Sequence, residues 1–143
     1  MATDERIIFP LFLAQQRLRT HMQKVLRDQG IRVTVAQAGI LFLLEKRDDR
    51  NMSDLSHAVG MDNSTLTGSV DRLEKAGFVT RKTSSRDRRR QQVRLTDLGR
   101  EEAALARPVI RGVNKSIKDR FTRKEMDVLL KVLYDLIHHL KPY

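Results

Sequence analysis

The stretch MSDLSHAVGMDNSTLTGSVDRLEKAGFV, residues 52–79, decides the fold class. It holds two helix-prone runs separated by Gly60, and Gly77 closes the second run ahead of a β-prone segment. Asp62 is placed to cap the second helix, because its carboxylate can accept a hydrogen bond from a backbone amide that is free at a helix start. The buried face of that helix follows at helical spacing and consists of Leu66, Val70 and Leu73. The pattern predicts a helix-turn-helix followed by a strand.

The first helix of this pair is short. Ser53 is its expected N-cap, and it is expected to end near Val59. Its expected inward-facing side chains are Leu55, Ala58 and Val59. The preceding residues 47–51, RDDRN, are predicted to form a polar loop.

The second helix leaves its opposite face to solvent or to a partner. Hydroxyl and amide side chains concentrate there, and such groups donate to phosphates or contact base edges in the major groove of DNA. Asn63 is suited to read adenine and Arg72 to hold a phosphate, whereas for Ser64 a capping role at the helix start is an equal alternative. The candidate DNA-binding residues of this helix are Asn63, Ser64, Thr65, Thr67, Gly68 and Arg72.

A strongly basic segment follows at residues 81–94, RKTSSRDRRRQQVR. Seven Lys or Arg residues against one acid give it a net charge of +6, out of +10 for the whole chain. Residues 78–82 and 91–95 are β-prone, so the segment is predicted to be a two-stranded hairpin with a long tip. Charge concentrated behind a helix-turn-helix favours DNA over a solvated charge run, the plain alternative. Aromatic residues make up only 5% of the chain, which favours duplex over the single strands that stack on aromatic side chains.

The tip of this hairpin carries its own prediction. Asp87 is expected to lie on the same side as Arg89 and to orient that guanidinium for insertion into a narrow minor groove. The neighbouring arginines are expected to contact phosphates. The candidate DNA-binding residues of the hairpin are Arg86, Asp87, Arg88, Arg89 and Arg90.

Two helices are predicted before the helix-turn-helix. The first spans about residues 4–29, has Pro10 in its early turns and is closed by Gly30. The second begins at a capping box formed by Thr34 and Gln37.

Two long helices are predicted after the hairpin. Thr96 is expected to cap the first, in which Pro108 predicts a kink, and a capping box of Thr122 and Glu125 starts the second. The apolar stripes of the N- and C-terminal helices have no obvious partner within one chain, which favours an isologous dimer over a purely intramolecular core. The expected division of the one domain, residues 1–143, is about 1–32 and 98–143 for dimerisation and about 34–97 for DNA binding.

The composition argues against several classes of protein. The chain has no cysteine, which excludes disulfides, cysteine zinc sites and thiol redox sensing. It has no run of about 18 apolar residues and an acidic N-terminus, so we expect a soluble, cytoplasmic protein without a membrane partner. Nucleophile, nucleotide-loop and zinc-protease motifs are missing, so neither catalysis nor a cofactor or metal is expected. Among the four histidines, His21 is the candidate for contact with an anionic ligand, although a surface role is the plain alternative.

The segment SRDRRRQQVRLTDLG, residues 85–99, with DNSTLTGSVDRLEKAGFVTR before it, resembles the MarR family of bacterial and archaeal transcriptional regulators. In that family a wing with D-x-R leads into V-x-L-T-x-x-G, and the recognition helix ends in R-L-E-x-x-G. The matching positions are Arg72, Leu73, Glu74, Gly77, Asp87, Arg89, Val93, Leu95, Thr96 and Gly99. This sequence departs from many relatives at Gly68, where they carry Arg or another long side chain.

The resemblance implies a mainly α fold with a small β-hairpin wing, in which a winged helix-turn-helix lobe is joined to N- and C-terminal helices that interlock in a homodimer. It further implies a ligand-responsive regulator, most often a repressor, that binds a pseudo-palindromic operator. The implied ligands are small phenolic or otherwise anionic aromatic molecules, bound between the dimer helices and the DNA-binding lobe. Two other functions stay open: an architectural DNA-binding protein without an effector, and a ligand- or protein-interaction module with a vestigial DNA lobe.

Overall fold

The computed structural model describes residues 6–84 and 87–140, with the backbone alone for residues 84 and 87–90. In chain order the elements are α1 (Ile8–Asp28), α2 (Val35–Lys46), β1 (Arg50–Asn51), α3 (Met52–Val59), α4 (Asn63–Lys75), β2 (Val79–Ser84), β3 (Asp87–Leu95), α5 (Asp97–Lys118) and α6 (Arg123–His139). The strands form an antiparallel sheet in the order β1-β3-β2. The predicted fold class, mainly α with a small β-hairpin, is confirmed.

The helix starts follow local capping chemistry. Four predicted N-caps each accept a hydrogen bond from the backbone amide three residues further on, and they are Thr34, Asp62, Thr96 and Thr122. Both predicted capping boxes are present, at the starts of α2 and α6. These signals could be found in the sequence because both partners lie within one helical turn.

The start of α3 differs from the prediction. Asn51, not Ser53, is the N-cap, and its Oδ1 accepts a hydrogen bond from the Asp54 amide at 2.8 Å. Asn51 is also the last residue of β1 and pairs with Gln92 of β3, so the extended backbone of the strand holds it in the capping conformation. The prediction that residues 47–51 are all loop is therefore wrong at its last two residues.

The core lies where α2, α3 and α4 pack against the sheet. Its fully buried aliphatic side chains include Ile40, Leu41, Leu44, Leu55, Leu66, Val70 and Val93. The predicted buried face of α4 is confirmed. On α3, however, Ala58 is exposed, because this short helix turns one narrow face inward, on which Leu55 is buried and Val59 half-buried.

The hairpin strands and the long terminal helices can also be compared with the predictions from the sequence. The hairpin strands are longer than expected, since β2 runs to Ser84 and β3 begins at Asp87; the predicted long tip is wrong. Helix α5 is continuous through Pro108, so a bend there stays a prediction. Helix α1 begins at Ile8, which places Pro10 in the first turn, where a backbone amide has no helical partner to lose.

The junction between β3 and α5 depends on a close backbone approach. Thr96 donates its hydroxyl to the carbonyl of Gly77 at 2.6 Å and accepts from the amide of Gly99 at 3.0 Å. A Cβ added to Gly99 would overlap the carbonyl oxygen of Phe78 and lie 2.7 Å from Cδ1 of Leu95. Glycine therefore lets α5 pack directly on the backbone that follows α4.

Helix α6 has no buried residue within the described chain. Large apolar side chains on it and on the first half of α1 stay exposed, among them Phe9, Phe12, Val128, Tyr134 and Ile137. The sequence prediction that the terminal stripes lack a partner in one chain is confirmed, among the described residues, for α6 and the first half of α1. It is wrong for the second half of α1 and for α5, whose Met22, Leu26, Ala103 and Ala106 are buried in the core of the same chain. None of the described helices combines the length and apolar character that crossing a membrane needs.

Candidate nucleic-acid interface

The exposed face of α4 presents the side chains that the sequence singled out. Asn63, Ser64, Thr65 and Thr67 are exposed, Gly68 is half-buried, and Arg72 is exposed one turn further on. The core face of the same helix fixes this orientation, because Leu66, Val70 and Leu73 are fully or almost fully buried. The helix thus turns its polar face outward as a rigid unit.

The hydroxyl groups at the start of α4 form hydrogen bonds that belong to the capping of this helix. The carboxylate of Asp62 accepts from the Thr65 amide at 2.7 Å and from the Ser64 hydroxyl at 2.9 Å. These hydrogen bonds, with one from the Thr65 hydroxyl, hold the pKa of Asp62 below its ordinary value. Thr67 donates its hydroxyl to the carbonyl of Asn63 at 2.7 Å. The helix-start role weighed for Ser64 is therefore present, as a donor to the N-cap Asp62, and these hydroxyls face a partner mainly as acceptors.

Arg72 lies back over Gly68. A Cβ added to Gly68 would be 3.7 Å from both terminal nitrogens of the Arg72 guanidinium. Within the described residues no carboxylate pairs with this guanidinium, and the side-chain amide of Asn63 likewise has no hydrogen-bond partner there. These two side chains keep their donors available on the outer face of α4.

An ion-pair network joins the hairpin to α4. The Arg81 guanidinium of β2 contacts Asp71 at 2.5 Å and Glu74 at 2.9 Å, and its backbone amide donates to Glu74 at 3.1 Å. The Glu74 hydrogen bond raises the pKa of Arg81, and the same contact lowers the pKa of Glu74. Arg81 therefore ties β2 to α4, and its charge is paired with two carboxylates of that helix.

A second ion pair anchors the other strand. Arg94 of β3 donates from Nε to Asp49 Oδ1 at 2.9 Å and from Nη2 to Oδ2 at 2.7 Å. The neighbouring Asp48 accepts from the Leu95 amide at 2.9 Å. Among the cations of residues 81–94 whose side chains the structure describes, Arg81 and Arg94 are thus paired with acids from outside that segment. Local sequence gave no sign of these anchors, because their acids lie in other elements.

The tip of the hairpin is only partly described. Arg86 lies outside the described residues, and residues 87–90 belong to β3 by their backbone. The pairing register passes from Thr83 with Gln91 to Ser84 with Asp87, so residues 88–90 bulge out of the ladder. The orientation of Arg89 by Asp87 stays a prediction.

A cavity of about 760 Å³ lies between α1, the start of α2 and α4. Two arginines, Arg19 and Arg72, line it, together with Gln37 and Ser69, which are both more than nine-tenths buried. Its apolar lining residues are Leu18, Met22, Val35, Ala36 and Met61. Sequence analysis missed Arg19, because only the fold places α1 beside the recognition helix. His21 lies elsewhere, in a groove of about 480 Å³ between α1 and α5.

Comparisons with known proteins agree with this arrangement of a helix pair, an anchored basic hairpin and long outer helices. The model of the MarR family matches residues 33–90. The transcriptional repressor MprA of Escherichia coli (strain K12) is 30% identical over 128 residues, which cover 88% of this chain and 72% of that protein. The chain belongs to the MarR family.

Solved structures share this MarR-family fold over nearly the whole chain. The transcriptional repressor CouR, bound to a 23-mer DNA duplex, aligns with a TM-score of 0.82 and 26% identity, covering 92% of each chain. A probable transcriptional regulator from Pseudomonas aeruginosa aligns with a TM-score of 0.80 and 29% identity, covering 94% of this chain and 98% of that chain. The predicted winged helix-turn-helix architecture is confirmed.

Proposed function

We propose that this chain is a transcriptional regulator that binds double-stranded DNA sequence-specifically as a homodimer, acts as a repressor and responds to a small ligand. The observation that carries the proposal is the outward polar face of α4 beside a basic hairpin that Arg81 ties to the same helix. A helix of this kind fits the major groove, and a basic hairpin beside it reaches the adjacent minor groove. MprA, a repressor, and CouR, a repressor held on DNA, support this function.

The uncovered apolar stripes support the homodimer. Helix α6 buries nothing within its own described chain, and Phe9 and Phe12 on α1 are 75% and 58% exposed. Apolar surface of this extent is stabilised when a second copy covers it. A symmetric dimer would present two α4 helices about one helical turn of DNA apart, which matches a pseudo-palindrome. Such a regulator works beside the chromosome, and we place it in the cytoplasm.

The cavity beside α4 supports the effector. Its apolar wall suits a small aromatic ring, and the guanidinium group of Arg19 has no carboxylate partner in the described chain. A carboxylate or phenolate on the ring would pair with it. The proposed effector is therefore a compact anionic aromatic molecule.

A duplex-binding titration tests the DNA proposal. A duplex enriched from a randomised pool should bind far more tightly than a random duplex at the same salt. If the dimer makes on the order of ten phosphate contacts, log K should fall with log salt at a slope near −0.9 per contact. Equal affinity for both duplexes would favour an architectural protein. A ligand- or protein-interaction module would show no salt-dependent DNA affinity at all.

The effector proposal has a separate test. Benzoate at millimolar concentration should raise the melting temperature of the protein, whereas neutral benzamide should not. Arg19→Gln should reduce the benzoate effect and leave DNA affinity unchanged, since Arg19 lies on α1 away from the outer face of α4. Equal shifts with benzoate and benzamide would contradict an anion site.

A further inference from the structure

We propose that Arg72 is a base-reading residue that takes the place of a side chain at position 68 and recognises a guanine in each half-site. This inference rests on the proposed DNA-binding function and specifies how that interface chooses sequence. It revises the expectation from the sequence, in which Arg72 holds a phosphate.

The geometry places the guanidinium over Gly68. Arg72 follows Gly68 by one helical turn, and side chains on a helix lean toward its N-terminus. Both terminal nitrogens of Arg72 lie 3.7 Å from the position that a Cβ on residue 68 would take, and Cζ lies at 4.0 Å. Because glycine has no side chain, the space above position 68 is open to the arginine from the next turn.

In this position the positive charge of Arg72 lies nearer to the N-terminal part of α4, which is the part that contacts bases. In a helix-turn-helix the N-terminal residues of the recognition helix contact base edges, whereas later residues lie nearer the backbone of the duplex. Position 68 falls in the first half of α4, which spans Asn63–Lys75. A guanidinium at position 68 is therefore better placed for a base than one extended from residue 72.

Most polar groups near position 68 are already engaged in hydrogen bonds or ion pairs, so few side chains remain that could contact a base. The hydroxyls of Ser64 and Thr65 are used by Asp62, and the hydroxyl of Thr67 is used by a backbone carbonyl. Arg81 and Arg94 are held by ion pairs, whereas Arg72 has no such partner among the described residues. Its planar fork matches the O6 and N7 acceptors of guanine, which is the commonest specific contact in the major groove.

Selection from a randomised duplex pool by the full-length protein tests the inference. The wild type should enrich a guanine at one fixed position of each half-site. Arg72→Ala and Arg72→Lys should both lose the preference at that position and keep the others, because lysine retains the charge but not the fork. Lys75→Ala removes the same charge from the end of the same helix and should weaken all duplexes by a common factor. Circular dichroism should be unchanged, since Arg72 is exposed.

A chemical substitution in the DNA and a second variant complete the test. Replacing the selected guanine with 7-deazaguanine should cost the wild type roughly tenfold in affinity and leave Arg72→Ala unaffected. Gly68→Leu, which fills the space used by the guanidinium, should change the preference at the same position, whereas Gly68→Ala should preserve it.

Two results would overturn the inference. If Arg72→Lys restores full affinity, or if Arg72→Ala weakens every duplex equally, Arg72 contacts a phosphate and the proposed function stands without it. If the wild type binds no duplex or selects no sequence, the proposed function fails and this inference fails with it.

Discussion

Arg94 and Asp49 are joined by two parallel hydrogen bonds of 2.9 and 2.7 Å, although 45 positions separate them in the sequence. Asp49 adopts a left-handed backbone, with φ of 55°, in the turn before β1. With Asp48, which accepts from the backbone of Leu95, it holds β3 from the side opposite the Arg81 network. The base of the hairpin is therefore held on both strands, which lowers the cost of ordering this part when DNA binds.

The pairs that hold the interface predict an acid-sensitive stability. The Arg94 hydrogen bond lowers the pKa of Asp49, and that of Arg81 lowers the pKa of Glu74. A carboxyl group with a lowered pKa in the folded state stabilises the fold above its unfolded pKa, and this contribution is lost as pH falls through the folded value. Stability to urea should therefore be constant near neutral pH and decline below about pH 4.

Asp49→Asn should flatten this decline more than Glu101→Gln does. Glu101 is exposed and has no ion-pair partner in the described chain, so it controls for the loss of one charge. Identical pH profiles of the two variants would show that the Asp49 pair does not contribute to folding stability.

Glu74→Ala should weaken DNA binding although it makes the protein more positive. Glu74 accepts from both the guanidinium and the backbone amide of Arg81, so its loss leaves the Asp71 ion pair as the remaining described polar contact of Arg81 with α4. Glu101→Ala changes the net charge equally and should leave affinity unchanged or slightly higher. Fluorescence anisotropy on a selected duplex measures both. A gain in affinity with Glu74→Ala would mean that this anchor is not needed.

How much of the fold can be predicted from the sequence depends on how far apart the interacting residues lie along the chain. The N-cap Asp62 and the buried face of α4 could be predicted, because their signals lie within a few residues. Strand β1 could not be predicted, because Arg50 and Asn51 form a strand only by pairing with Val93 and Gln92, which lie far along the chain. The sequence predicts Ser53 as the cap of α3 and not Asn51 for the same reason, because the strand pairing that makes Asn51 extended is non-local.

The candidate site shows the same limit. The outward residues of α4 could be predicted from helical periodicity, but the paired state of Arg81 and Arg94 could not, because a count of charge in one segment ignores acids elsewhere. The position of the Arg72 guanidinium over Gly68 could not be predicted either. Helical spacing predicts that the two residues are neighbours, but it does not predict in which direction a long side chain turns.

The two glycines Gly99 and Gly68 should respond in opposite ways to alanine. A Cβ on Gly99 collides with the Phe78 carbonyl, so Gly99→Ala should destabilise the protein by about 1–3 kcal/mol. A Cβ on Gly68 meets only a flexible guanidinium at ordinary contact distance, so Gly68→Ala should stabilise it by about 0.5–1 kcal/mol. Thermal unfolding measures both, and a stable Gly99→Ala would refute the close approach.

The hairpin tip gives a prediction that depends on a well-chosen control. Arg89→Ala should reduce affinity for a selected duplex much more than Arg111→Ala, which removes an exposed arginine of α5 without a described ion pair. Arg107 is unsuitable as a control, because it pairs with Glu45 and stacks on Phe42. Equal losses for Arg89 and Arg111 would show that bulk charge, not insertion at the tip, accounts for the effect.

A hydroxyl-radical footprint of the wild-type protein on the duplex selected from a random pool tests the central claim most directly. Two α4 helices and two anchored hairpins on one symmetric dimer predict paired protected segments on one face of the duplex. Their centres should be separated by about one helical turn, roughly 10 base pairs. A single protected segment, or uniform protection along the duplex, would contradict the account.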